Sequence, residues 1–221
     1  MSNDILIIIC SKNPKPYLLT NIHNYQNFYT NSKIIVVDSD STDFTIYDKI
    51  KKIYPAVELH FIKNKNWEFG AYKYGYEKYP NFTTYICIQD SLLPKQKVNI
   101  DSNELYFFVY KQNSQLHNSG WNYYKKSIDR RIFLSKRLME NTIYSDFWMK
   151  SIKRNFGICC HISFIIKNEI LKQMIDTLPV LPINKAEEMA YERIFGLFAE
   201  YHKYKPIYIR KEFLKRQEGR A

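Results

Sequence analysis

Three short stretches carry carboxylates where apolar runs end or a helix begins. Residues 34–43 read IIVVDSDSTD, with Asp38, Asp40 and Asp43 following a β-branched run; residues 85–94 read YICIQDSLLP, with Asp90 just past an apolar run; residues 184–192 read NKAEEMAYE, with Glu187 and Glu188 after an asparagine suited to capping a helix. Carboxylates at the rim of a hydrophobic body can accept hydrogen bonds from a ligand, hold a hard cation or take a proton. Each also has a structural use. Asp90 could close an Asx-turn, Asp43 or Ser41 could cap a helix, and Asn184 with Glu187 has the spacing of a capping box.

These groups matter only if the chain gathers them. Short β-rich runs alternate with segments of helical period, the pattern of parallel strands joined by helical crossovers. Strands are predicted near Ile5 to Cys10, Lys33 to Val37, Val57 to Lys63 and Thr83 to Ile88, and helices near Tyr17 to Tyr25, Thr45 to Ile53 and Phe69 to Tyr79. In open α/β sheets the loops after successive parallel strands share one edge, where ligands bind. That edge would collect Ser11, Asp38, Asp40, Asn64 and Asp90. The second half is less regular, with strands predicted at Leu105 to Tyr110 and Ile162 to Ile166, helical segments to about Lys153, a helix from Asn168 to Thr177, and a long helix from Asn184 to about Tyr201. The terminal stretch IRKEFLKRQEGRA reads as an exposed helix or a frayed tail.

A length of 221 residues suits one α/β domain, and no boundary or linker divides 1–221. No apolar run approaches the roughly 20 residues that span a bilayer, and Ile5 to Ile9 lacks the flanks of a signal peptide. Cys10, Cys87, Cys159 and Cys160 have no C-x-x-C spacing, so reduced thiols and a cytoplasmic location are expected. A formal charge of +11 suits an anionic partner, whether a phosphorylated substrate, nucleic acid or an anionic surface.

The 34–43 stretch fails as a calcium loop: Asp43 stands where a glycine is needed and Lys49 where the bidentate glutamate belongs. As a haloacid-dehalogenase-like phosphotransferase signature it would make Asp38 the nucleophile and Asp40 the acid/base, although no downstream strand ends in a paired-Asp metal motif. A third reading rests on resemblance. IIVVDSDSTD resembles the V-V-D-x-G-S-T-D turn of family 2 glycosyltransferases, with Asp40 at the glycine. NKNWEFGAYKYGY at 64–76 resembles that family's N-x-G-F-G-A segment, matching at Asn66, Phe69, Gly70 and Ala71, with Glu68 replacing a glycine. YICIQDSLLP falls where the family has its D-x-D strand. The match covers roughly residues 4 to 95.

The resemblance implies a GT-A (Rossmann-like) fold, with a mixed, mostly parallel central sheet flanked by helices. Residues 1–100 would bind a nucleoside diphosphate sugar and 101–221 a glycan acceptor, nucleic acid being an unlikely partner. By analogy Ser11, Asn13, Asp38, Asp40, Asn66, Gly70, Lys73, Gln89 and Ser91 would surround the donor. The family's metal-binding acids fall on Gln89 and Ser91, with Asp90 between them. Asp90 then takes over a Mn2+ or Mg2+ ion, or basic residues hold the diphosphate, or the site binds without turnover. A late histidine completes the metal site in some members of this fold, which makes His161 and His202 candidates, His161 beside Asp90 first. An inverting transferase also needs a general base. Glu188 fits the family's position, and Glu192 four residues on would raise its pKa by like-charge repulsion. The basic run from Lys125 to Arg137 could gather phosphates or form a solvated face. Trp67, Trp121, Trp148 and the 19 tyrosines suit a sugar cleft or an ordinary core. The expected activity is hexosyl or deoxyhexosyl transfer to a glycan hydroxyl. The alternatives are a basic nucleic-acid or anionic-surface binding protein and the phosphotransferase built on Asp38 and Asp40.

Overall fold

The computed structural model describes residues 4–100, 105–112, 138–139, 142–146, 157–209 and 213–215. The Lys125 to Arg137 run, Trp121 and Trp148 lie outside the described residues.

The first half alternates as its hydrophobic periods require: β1 (Ile5–Ser11), α1 (Tyr17–Phe28), β2 (Ser32–Asp38), α2 (Thr45–Ile53), β3 (Glu58–His60), α3 (Trp67–Lys78) and β4 (Thr84–Gln89). β1 pairs in parallel with both β2 and β4, and β2 in parallel with β3. There follow β5 (Leu92–Pro94), β6 (Leu105–Gln112), β7 (Gly157–Lys167), α4 (Asn168–Thr177), α5 (Lys185–Tyr201), β8 (Ile207–Tyr208) and β9 (Phe213–Lys215). The central sheet has seven strands in the order β3-β2-β1-β4-β7-β6-β8, and β5 with β9 forms a separate pair. β7 runs antiparallel to both β4 and β6, so the sheet is mixed but mostly parallel. The stretch expected as a terminal helix or frayed tail instead supplies β9, antiparallel to β5.

Both faces of the sheet are covered, which is why its central strands read as continuous apolar runs. Alternate residues of β1 serve opposite cores: Leu6 and Ile8 pack with α3, α4 and α5, whereas Ile7 and Ile9 pack with α1 and α2. α3 lies very close to the sheet at Gly75, where an added Cβ would stand 2.7 Å from Ile8 Cδ1. β7 departs from regularity at His161 and Ile162, with φ of 62° and 44°, opposite a register shift between Phe107 and Val109 of β6. A β-branched residue at positive φ is strained. This bulge turns the Ser163 hydroxyl toward the end of β4, where it accepts from the Gln89 N–H at 3.2 Å. No helix among the described residues is long and apolar enough to cross a membrane.

Candidate active site

The strand ends converge on one cleft of about 880 Å³. The turn after β1 contributes Cys10, Ser11, Lys12, Asn13, Lys15 and Tyr17; the turn after β2, Ser39 and Asp40. The β3–α3 connection adds Asn64, Lys65, Trp67 and Glu68; the end of β4, Gln89 and Asp90; the approach to α5, Ile183 and Lys185. This is the carboxyl edge of the parallel strands, where an open α/β sheet leaves its N-terminal helix ends and loops free to bind.

The walls are tied together by short polar links. Ser39 N–H donates to Ser11 O at 2.8 Å, and Asp90 N–H to Cys10 O at 3.0 Å, so the three strand ends are locked side by side. Asn21, fully buried on the apolar face of α1, donates through Nδ2 to the carbonyls of Asp90 (2.8 Å) and Leu92 (3.0 Å) and fixes the turn after β4. Ser11 Oγ donates to Asp90 Oδ2 at 2.7 Å. Asn13, at φ 46°, accepts from the N–H groups of Thr42 (2.8 Å) and Asp43 (3.1 Å), and its own N–H donates to Ser41 Oγ at 2.7 Å. Asp40 has φ 63°. The backbone there needs the left-handed region that glycine takes freely, and aspartate is among the few other residues that tolerate it.

Of the residues expected at a donor site, Ser11, Asn13, Asp40, Gln89 and Asp90 line the cleft. The others do not, each for a visible reason. Asp38 is 3% exposed and faces inward: Tyr47 Oη donates to its Oδ1 at 2.8 Å and Ser41 N–H to its Oδ2 at 3.0 Å. Asn66 bridges loops, its Nδ2 donating to Pro182 O at 2.8 Å and its backbone N–H donating to Asn64 Oδ1 at 3.0 Å. Gly70 is required by packing, since a Cβ there would lie 2.5 Å from both Asn64 Oδ1 and Asn66 Cβ. Lys73 sits further along α3 in an ion pair with Glu77. Ser91 is 1% exposed. His161 belongs to the β7 bulge, where its N–H donates to Glu192 Oε1 at 2.8 Å. His202 packs edge-on or tilted among the rings of Tyr144, Phe198, Tyr201 and Tyr204, and Tyr144 Oη lies 2.9 Å from its Nε2. Asp43 lies just ahead of α2, whose N-cap position is Phe44, and closes a local turn by accepting from Thr45 N–H at 2.9 Å.

Glu188 is placed differently from the expectation. It opens α5, where Asn184 Oδ1 accepts from Glu187 N–H at 3.0 Å, but its own carboxyl is 1% exposed and is not part of the cleft wall. The like charge facing it is Glu68 of α3 rather than Glu192, which is engaged with the β7 bulge. Burial first, and Glu68 second, push the Glu188 carboxyl well above its usual range. Glu68 is 8% exposed, lines the cleft and accepts from the Gln89 amide. The cleft lysines Lys12, Lys15, Lys65 and Lys185 were not legible as site residues, because Lys and Arg are spread along the whole sequence. Glu68 had a signal: it is the departure from glycine in the 64–71 segment.

Among the described residues no group of three or more His, Cys, Asp or Glu is placed to hold a metal ion. A magnesium-type cation needs only one or two protein carboxylates, taking its remaining ligands from phosphates and water. Asp90 fits that minimal role, for an ion that arrives with a diphosphate.

The chain matches no known protein-family profile. No curated protein is similar to it in sequence. Among solved structures it is similar to the mannosyltransferase PcManGT from Pyrobaculum calidifontis in complex with GDP-Man and Mn2+, at 12% identity over 92% of this chain and 54% of that one, with a TM-score of 0.50. It also aligns with S. aureus TarS 1-349, at 13% identity over 49% of this chain and 36% of that one, with a TM-score of 0.39. The chain thus spans about half the length of the mannosyltransferase. The fold is of the GT-A type, a mixed, mostly parallel sheet flanked by helices.

Proposed function

We propose that this chain is a glycosyltransferase that moves a hexosyl or deoxyhexosyl group from a nucleoside diphosphate sugar to a hydroxyl of a glycan acceptor, with inversion. The observation that carries the reading is the composition of the cleft. Lys12, Lys15, Lys65 and Lys185 surround a pocket at the carboxyl edge of a GT-A sheet, large enough for a nucleotide sugar. Lysine ammonium groups act as point charges toward phosphate, and a diphosphate is the leaving group whose charge they would meet as the anomeric bond breaks. Trp67 and Tyr17 offer flat faces for a base or a sugar ring. Asp40 and Asn13 offer acceptors and donors for ribose or base. A divalent ion held by Asp90 would supply further neutralisation of the diphosphate. The mannosyltransferase of similar fold holds GDP-Man and Mn2+, which supports the same ligand class here.

The test is calorimetry or thermal shift with a panel of nucleoside diphosphate sugars, with and without Mn2+. At a hundredfold excess over Kd a ligand stabilises its protein by about 2.7 kcal/mol, roughly 5–10 °C for a chain of this size. Lys65→Ala combined with Lys185→Ala should weaken binding and flatten its salt dependence. Absence of any shift at millimolar donor would refute the reading.

A further inference from the structure

Two carboxyl groups meet behind the cleft, and only one of them reaches it. Glu68, on the first turn of α3, lines the cleft beside Gln89, whose amide donates to it. Glu188, on the first turn of α5, is 1% exposed and meets the Glu68 carboxyl from the interior. Two buried carboxylates in contact cannot both ionise cheaply, so such a pair holds one proton between its members. The inner group, without solvent, is the one that keeps it.

Resting on the transferase reading, we propose that Glu68 is the catalytic residue that takes the acceptor's proton, and that Glu188 is a positioning residue that holds the pair's shared proton and keeps Glu68 aimed at the cleft. In the transfer step the acceptor oxygen forms a bond to the anomeric carbon as its O–H proton passes to a Glu68 carboxylate oxygen. The bond from the anomeric carbon to the diphosphate breaks, and its electron pair leaves on the diphosphate oxygen. The proton then returns to water through the cleft. Gln89 makes this arrangement specific to the chain. An acid at that position would repel Glu68, whereas the amide donates to it and orients it, and Ser163 of the β7 bulge anchors the Gln89 backbone. The other charged or titratable groups around the pair are Cys10 on β1, Tyr72 on α3, Asp90 after β4, and Lys185 and Glu192 on α5. Of these, Lys185 is the cation that favours ionisation within the pair.

The test uses the full chain with GDP-mannose and UDP-glucose as probes, reading release of the free nucleoside diphosphate with water standing in for the acceptor, and donor binding by calorimetry. Glu68→Gln should lower turnover by about 10²–10⁴-fold while donor affinity stays within a fewfold, and Glu68→Asp should restore part of the rate. Glu188→Gln should keep at least a tenth of the turnover and move the acid limb of the pH–rate profile to higher pH, because the Glu68 carboxylate loses the hydrogen bond from the shared proton that favours its ionised form. Melting curves of each variant establish that it is folded. If Glu188→Gln abolishes turnover while Glu68→Gln stays within tenfold of the parent, or if both lose it equally, the proposal is overturned. Loss of the transferase reading looks different: the parent protein itself would neither bind nor hydrolyse either probe.

Discussion

Removing the Tyr47 hydroxyl separates a structural Asp38 from a ligand-binding one. Tyr47 is 1% exposed and Asp38 3% exposed, and the phenol donates to Asp38 Oδ1 at 2.8 Å. Burial pushes the phenol's pKa well up, so it remains a donor at any physiological pH. Tyr47→Phe keeps the ring in its packing against Phe44 and Phe61, with centroids 6.0 and 5.2 Å away, and deletes the hydrogen bond to a buried carboxylate together with a longer contact to Ser41 Oγ at 3.3 Å. Hydrogen bonds to charged groups contribute about 1.5–3 kcal/mol. Asp38 keeps the Ser41 N–H, at 3.0 Å from Oδ2, and phenylalanine saves the cost of burying a hydroxyl. The expected loss is therefore near the lower half of that range, about 2 kcal/mol, or a fall in Tm of roughly 4–8 °C. Thermal and urea melts measure it, and donor affinity should change by less than about twofold by the same reasoning. A variant that melts like the parent but binds donor tenfold more weakly would show that Asp38 serves the ligand, and the structural assignment would be wrong.

Two further outcomes follow from the site's construction. Glu188 has a folded-state pKa raised above its ordinary 4.5, so the stability tied to its protonated form is full below that value and is lost as pH rises toward the folded pKa. Glu188→Gln should therefore match the parent in acid and become progressively more stable than it as pH is raised, in denaturant melts taken across the pH range; a constant difference at every pH would contradict the buried-carboxyl account. Gly70→Ala would ordinarily favour a helix by up to about 1 kcal/mol, but its Cβ would lie 2.5 Å from Asn66 Cβ, and overpacking of that kind costs about 1–3 kcal/mol. A net drop in Tm together with weaker donor binding is expected, and an unchanged or higher Tm would show that the 64–66 loop yields freely.

The sheet's first half was legible because both of its faces are buried. β1, β2 and β4 each hold a continuous apolar run, Ile5 to Cys10, Ile34 to Val37 and Tyr85 to Ile88, and turn residues punctuate them. The direction of β7 was not, since an apolar run reads the same for parallel and antiparallel pairing, and its partner strands β4 and β6 lie far away in sequence. At the site, the strand-end residues Ser11, Asp40 and Asp90 could be placed from topology alone. What the sequence hid was the inward turn of Asp38, which depends on a tyrosine one turn into the following helix. It also hid the meeting of Glu68 with Glu188, which depends on α3 packing beside α5. At the two positions where the resembled pattern has glycine, Asp40 takes a backbone φ of 63° and Glu68 places a carboxyl at the cleft.

The insertion of β7 between β4 and β6 also bears on how the chain is made. Thr84–Gln89 is buried at every residue in the finished sheet, paired on one side by β1 and on the other by Gly157–Lys167. During synthesis the first neighbour is available early and the second only after the intervening segment has left the ribosome. Until then β4 is an apolar edge strand with unpaired backbone groups, the feature most prone to pairing with another chain. A nascent or truncated chain that stops short of residue 157 would carry all the cleft's carboxylates, Asp40, Glu68 and Asp90, yet expose the strand that ends beside Asp90 to aggregation.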